Sequence, residues 1–153
     1  MAAGNLKTLY KHRQIGVVIV VVLGLAALIC LILSPVVDAP RLRLTLLSLA
    51  GAFGICTVLF SSLTVELSQD VLSWHFGPGI LRKNVTVAEI KNVAVTETRF
   101  IHGWGIHLTR NGWLYNVSGF GAVQITLNSG KSFLLGSDEP EQLCSIIKRA
   151  MKS

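Results

Sequence analysis

Two long stretches of this chain, Ile15 to Leu33 and Leu44 to Leu63, contain no Asp, Glu, Lys, Arg or His. Each is about 20 residues long, the length at which an α-helix crosses a hydrocarbon core of about 30 Å. Ion and proton paths through lipid need ionisable or strongly polar side chains. Here the polar groups are only Cys30, Thr45, Ser48, Cys56, Thr57, Ser61 and Ser62. The two runs therefore read as anchors, and solo transport is excluded. Cysteine is also scarce. Of the three, Cys30 and Cys56 lie in the runs and Cys144 on a predicted helix, with no CxxC pair. That excludes a disulfide framework, a zinc knuckle and a dithiol redox motif. No P-loop or nucleophile elbow is present. Ser118-Gly119-Phe120-Gly121 falls between predicted strands with no helix after it, and reads as a bend rather than a phosphate cradle.

The net charge of +6 raises nucleic acid as a partner, but its location argues against one. Up to Leu63, Lys7, Lys11, Arg13, Arg41 and Arg43 stand against Asp38 alone; beyond it, nine basic residues face seven acids. Most of the excess flanks the spans, where it sets topology. The remainder lacks the basic stripe of a nucleic-acid binder. The apolar part of the first run is longer than a signal-peptide core and has no small-residue cleavage site, so it reads as an uncleaved span. Met1-Ala2-Ala3-Gly4 has no Gly at the second position, which removes myristoylation.

These features divide the chain into an N-terminal segment 1–14, a span 15–33, a short loop 34–43, a second span 44–63 and a domain 64–153. Pro35 and Pro40 stop helices in the loop, which makes the spans an antiparallel hairpin. Lys7, Lys11 and Arg13 precede the first span, and Arg82 and Lys83 follow the second. Arg41 and Arg43 oppose them, but the N-terminal cluster usually dominates. Both termini are expected in the cytoplasm, and the sequons at Asn84 and Asn116 then count as chance matches. Ala50 and Gly54 form a small-xxx-small pair, with Gly24, Ala26 and Ala27 on the other span. Such residues let backbones approach in lipid, either between these two helices or between chains.

After Leu63 the pattern becomes short and alternating. Leu63 to Leu67 and Val71 to Phe76 read as strands around the turn Ser68-Gln69-Asp70; Val85 to Val87 and Ile90 to Val95 read as further extended segments. Asn111-Gly112 predicts a two-residue hairpin loop, with Arg110 facing Trp113, Leu108 facing Tyr115, Ile106 facing Val117 and Trp104 facing Gly119. Asn128-Ser129-Gly130 predicts a three-residue loop with Gly130 left-handed, Ile125 opposite Phe133 and Val123 opposite Leu135. A final helix carries the stripe Leu143, Ile146, Ile147, Ala150 and Met151, with Asp138 as expected N-cap and Glu141 completing a capping-box spacing.

The fold class expected is a membrane α-hairpin plus α+β. About seven strands followed by one amphipathic helix is the order of a pleckstrin-homology-like (PH-like) antiparallel barrel closed by its C-terminal helix. Gly103-Trp104-Gly105-Ile106, Gly112-Trp113-Leu114-Tyr115-Asn116-Val117-Ser118-Gly119 and Gly136-Ser137-Asp138-Glu139-Pro140 resemble the small bacterial membrane proteins with two spans and a PH-like domain. The resemblance covers nearly the whole chain in architecture. It implies a non-catalytic binding module at the inner membrane, with the bilayer and a protein, or a second copy, as partners. A structural or accessory subunit of an oligomeric transport assembly is the alternative. PH domains that bind phosphoinositides use several Lys and Arg in the first strand-to-strand loop. Ser68-Gln69-Asp70 has none, so phosphoinositide is not an expected ligand. No cofactor, catalytic residue or metal site is expected. His102 and His107 differ in strand parity and point to opposite faces. If a partner surface exists, it is expected at Arg99, Phe100, Ile101, His102 and Trp104, unless these close the core. Helix packing is expected at Gly24, Ala27, Ala50 and Gly54.

Overall fold

The computed structural model describes residues 8–98, 105–109 and 112–152. Strand β1 (Thr8–Ile15) leads straight into helix α1 (Val17–Leu33), a 3₁₀ turn (Ser34–Val36) and helix α2 (Pro40–Leu59). Strands β2 (Ser62–Ser68), β3 (Val71–Phe76) and β4 (Leu81–Thr86) follow, and β1 to β4 form one antiparallel sheet in chain order. A second sheet joins β5 (Ile90–Glu97), β6 (Gly105–Thr109), β7 (Gly112–Asn116), β8 (Gly121–Leu127) and β9 (Ser132–Gly136) in the order β5-β8-β9-β7-β6. Helix α3 (Pro140–Ala150) ends the chain and packs on β5, β8 and β1. The fold is α+β beside a helical hairpin. Among the described residues it has nine strands rather than about seven, in two sheets that do not join into a closed barrel.

Both helices are long and apolar enough to cross a membrane, and only 6% of each span is buried within the protein. A core helix of the same composition would be covered by neighbours. Here Val22, Leu25, Ile29, Ile32, Ile55 and Val58 all stand at least half exposed, a surface that fits lipid rather than water. Pro40 sits in the first turn of α2, where its missing N–H is no loss. The helix therefore takes in Arg41 and Arg43, and it ends at Leu59, four residues before the apolar run does.

Residues Phe60 to Leu63 serve the sheet instead. Phe60 meets Phe76 edge-on at 5.5 Å, and Leu63 opens the buried face of β2. That face continues through Val65, Leu67, Leu72, Trp74 and Phe76, and packs on Tyr115, Val117, Val123, Ile125, Phe133 and Leu135 of the second sheet. Trp74 stacks on Phe133 at 4.9 Å and tilts against Tyr115 at 5.3 Å, which makes it the centre of the core. Helix α3 buries Leu143, Cys144 and Ile147.

Strand β1 lies where the sequence reading placed only an N-terminal segment. Its inward residues are Tyr10, His12 and Gln14, and its outward ones Leu9, Lys11, Arg13 and Ile15. The polar inward positions conceal the alternation. Pairing with β2 sets Arg13 opposite Thr64 and His12 opposite Val65.

The two later hairpins differ in outcome. Val123 pairs with Leu135 and Ile125 with Phe133, and Gly130 has φ +81°, as expected for the three-residue loop. In the other, Leu108 pairs with Trp113, Ile106 with Tyr115 and Thr109 with Gly112, two residues away from the expected register. A shift of two keeps every side chain on its face, so the pattern alone does not distinguish the two registers. On its other edge β7 pairs in parallel with β9. There Gly112, at φ +104°, comes against the carbonyl oxygen of Ser132, where any Cβ would collide. Gly112 thus serves a close approach of two neighbouring strands. The expected contact of Trp104 with Gly119 lies outside the described residues.

The capping box at α3 also does not form. The residue preceding the helix is Glu139, with no side-chain cap, and Pro140 is its first residue. Asp138 is occupied elsewhere.

Candidate functional site at the sheet–helix junction

The sheet and the helices meet through two close backbone approaches. Gly16 separates β1 from α1 and donates its N–H to Ser61 O at 2.9 Å. A Cβ there would stand 2.9 Å from Phe60 O and 3.2 Å from Val117 Cβ. Gly77 follows β3 and donates to Ser62 O at 2.8 Å, and its own Cα faces the last carbonyls of α2. Gln14 adds a link to the bend between β7 and β8, donating from Nε2 to Ser118 O at 2.8 Å.

Midway along β1 is a polar latch. His12 Nε2 lies 2.5 Å from Asp138 Oδ1, and its Nδ1 lies 3.6 Å from Glu139 Oε2. Tyr10 stacks beside His12 with ring centroids 6.2 Å apart. These contacts clip the strand before α1 to the start of the final helix. They explain why Asp138 is not an N-cap. Burial, and then the Glu139 and Asp138 carboxylates, push the Tyr10 hydroxyl up to about 12, with Ser137 opposing. The neutral phenol is the form that the fold favours. An unfolded chain ionises near 10, so stability held below that value is lost as pH rises toward 12. Unfolding measured across this window is expected to show the decline, and Tyr10→Phe to flatten it. Tyr115 is also raised by burial, so part of the decline is expected to persist in that variant.

Above the latch, the outward face of the first sheet carries a cross-strand row: Arg13, Thr64, His75 and Arg82. One row below, Lys11 faces Glu66, with Nζ 3.7 Å from Oε2. A cleft of about 520 Å³ runs from this face to the end of α2, lined by Lys11, Arg13, Thr64 and His75 on one side and Val58 and Ser61 on the other. The other side of the helical hairpin holds an apolar cleft of about 460 Å³ between Val18, Ile19, Phe53, Phe60 and Ile106, with His107 at its margin. His75, His107 and Asp70 fall in three different clefts. Among the described residues no group of three His, Cys, Asp or Glu could hold a metal.

Arg99, Phe100, Ile101, His102 and Trp104, expected as a partner surface, lie outside the described residues. Gly24 and Ala27 are on α1, and Ala50 and Gly54 on α2. Ala50 is buried, but a Cβ at Gly24 or Gly54 would meet nothing within 4 Å. Those two glycines are not where the paired helices touch. The basic row is hidden in the sequence because Lys11 and Arg13 read as topology flanks and the polar inward positions of β1 mask its alternation. No family model, curated protein or solved structure matches the chain.

Proposed function

We propose that the chain is a membrane-anchored interaction module, with a PH-like α+β domain held at the cytoplasmic face of a bacterial inner membrane and both termini inside. One observation carries this reading: β1 and β2, the strands that enter α1 and leave α2, are paired with each other. The domain is therefore fixed to the hairpin by a sheet and not hung on a linker. A module built this way presents one surface to the bilayer and another to partners. The excess of Lys11, Arg13, Arg82 and Lys83 on the domain side supports the cytoplasmic orientation. The run Arg99 to Trp104 is proposed as the partner surface, on its exposed-patch composition.

Affinity capture of the intact chain from native membranes tests the reading. A protein partner is expected to co-purify, and to be lost with Phe100→Ala or Trp104→Ala while the melting curve is unchanged. The same partners with both variants would remove that surface.

A further inference from the structure

We propose that the cleft between the outward face of the first sheet and the end of α2 binds the phosphate headgroup of an anionic phospholipid from the surrounding bilayer. The proposal rests on reading α1 and α2 as membrane spans. Register places Arg13, Thr64, His75 and Arg82 side by side across all four strands. Arg13, Thr64 and His75 of this row line the cleft, and Arg82 lies beyond its edge. Adjacent strands lie about 4.8 Å apart, so the three span about 10 Å, comparable to a lipid headgroup. Arg13 is four residues before α1 begins, and Thr64 is five after α2 ends, so the row lies at the depth where headgroups meet the protein. The 77–79 turn fixes this depth, because Gly77 rests on the last carbonyls of α2.

The charges of this face leave a net cationic surface. Glu66 is the one carboxylate on these four strands' outward side, and it is engaged by Lys11 and by Thr8 Oγ1 at 3.3 Å. Arg13 and Arg82 have no ion-pair partner among the described residues. Nδ1 of His75 is buried against the turn, so the ring meets the cleft with its other edge. Across the cleft, Val58 belongs to the membrane span, and Ser61 directs its hydroxyl to Val58 O at 2.9 Å. One wall is thus apolar and continuous with the lipid-facing surface, and the other is basic. A free phosphate would use only the second wall; a phospholipid uses both. Guanidinium groups suit phosphate oxygens because their planar donors match them in pairs.

The intact chain is exchanged into mixed micelles of phosphatidylglycerol and phosphatidylcholine, and retained lipid is counted by native mass spectrometry. Phosphatidylglycerol is expected to be retained in preference. Arg13→Gln is expected to lower that preference about five-fold, the equivalent of one cation at a membrane surface. Arg13→Lys is expected to keep most of it, and Arg41→Gln, at the far end of α2, all of it. Equal retention of the two lipids by the wild type overturns the proposal, as does an unchanged preference in a folded Arg13→Gln variant. Displacement of the lipid by millimolar inorganic phosphate overturns the lipid as source. Should Arg13→Gln fail to fold, the wild-type preference is followed from about 0.05 to about 0.5 M salt, where screening must weaken it; a constant preference overturns the proposal. Extraction by alkaline carbonate separates the two readings. A chain released from membranes refutes the anchor, whereas one retained yet indifferent to headgroup charge refutes only the cleft.

Discussion

Gly77→Ala is expected to destabilise the protein by on the order of 4 kcal/mol, lowering the melting temperature of the detergent-solubilised chain by about 10 °C. Two costs combine. The backbone at this position has φ +45°, which an L side chain adopts at about 1–2 kcal/mol. The added methyl would also collide with Val58 O and stand 2.8 Å from Leu59 O. Both atoms are backbone at the end of a helix, so neither can rotate away. Relief requires the turn to lift off α2, which takes the Gly77 to Ser62 hydrogen bond and the Phe60–Phe76 contact with it. Gly79→Ala is the matched comparison. Its φ is +96°, but the nearest atom to its Cβ is 3.7 Å away, so only the conformational cost of about 1–2 kcal/mol is expected. Equal melting shifts for the two variants would mean that the turn does not bear on the helix.

Trp74→Ala is expected to cost about 3–5 kcal/mol, a large share of the roughly 5–15 kcal/mol that holds a domain together. Trp74 is 3% exposed and touches Phe133 and Tyr115 from the facing sheet, so its removal opens a void between the two sheets. Trp74→Phe separates volume from polarity. The indole Nε1 is buried without a hydrogen-bond acceptor among the described residues. Losing that donor recovers part of its desolvation cost, about 1–3 kcal/mol, and offsets the smaller ring. The Phe variant is expected to melt close to wild type and the Ala variant far below it. A Phe variant as unstable as Ala would show that the indole nitrogen is satisfied in solution.

The two apolar helices, the alternating strands and the amphipathic final helix are legible because each has its own pattern: continuous apolar residues, a repeat of two, a repeat of 3.6. The three-residue loop at Gly130 was legible because it alone aligns Val123 with Leu135. What escaped had its signal inverted or duplicated. In β1 the inward positions are Tyr10, His12 and Gln14, so polarity falls on the buried side. The β6–β7 register has two solutions with the same faces, so alternation alone does not choose between them. Asp138 and Glu141 have the spacing of a capping box, yet Asp138 is drawn to His12 from 126 residues away. The basic row could be read only once β1 was placed beside β2, since its members come from four strands.

The pairing of β1 with β2 also dictates an order of events during synthesis. Strand β1 emerges before either long helix, and its partner follows only after both. Until α1 and α2 lie antiparallel, the two strands are held apart, and β2 keeps an open edge of unpaired backbone groups. Once the two helices pack, the strands are delivered to each other and the entropy of closing so long a loop has already been met by the helices. Completion of the sheet is thus conditional on the helical hairpin, and a chain whose hairpin has not formed exposes an adhesive edge.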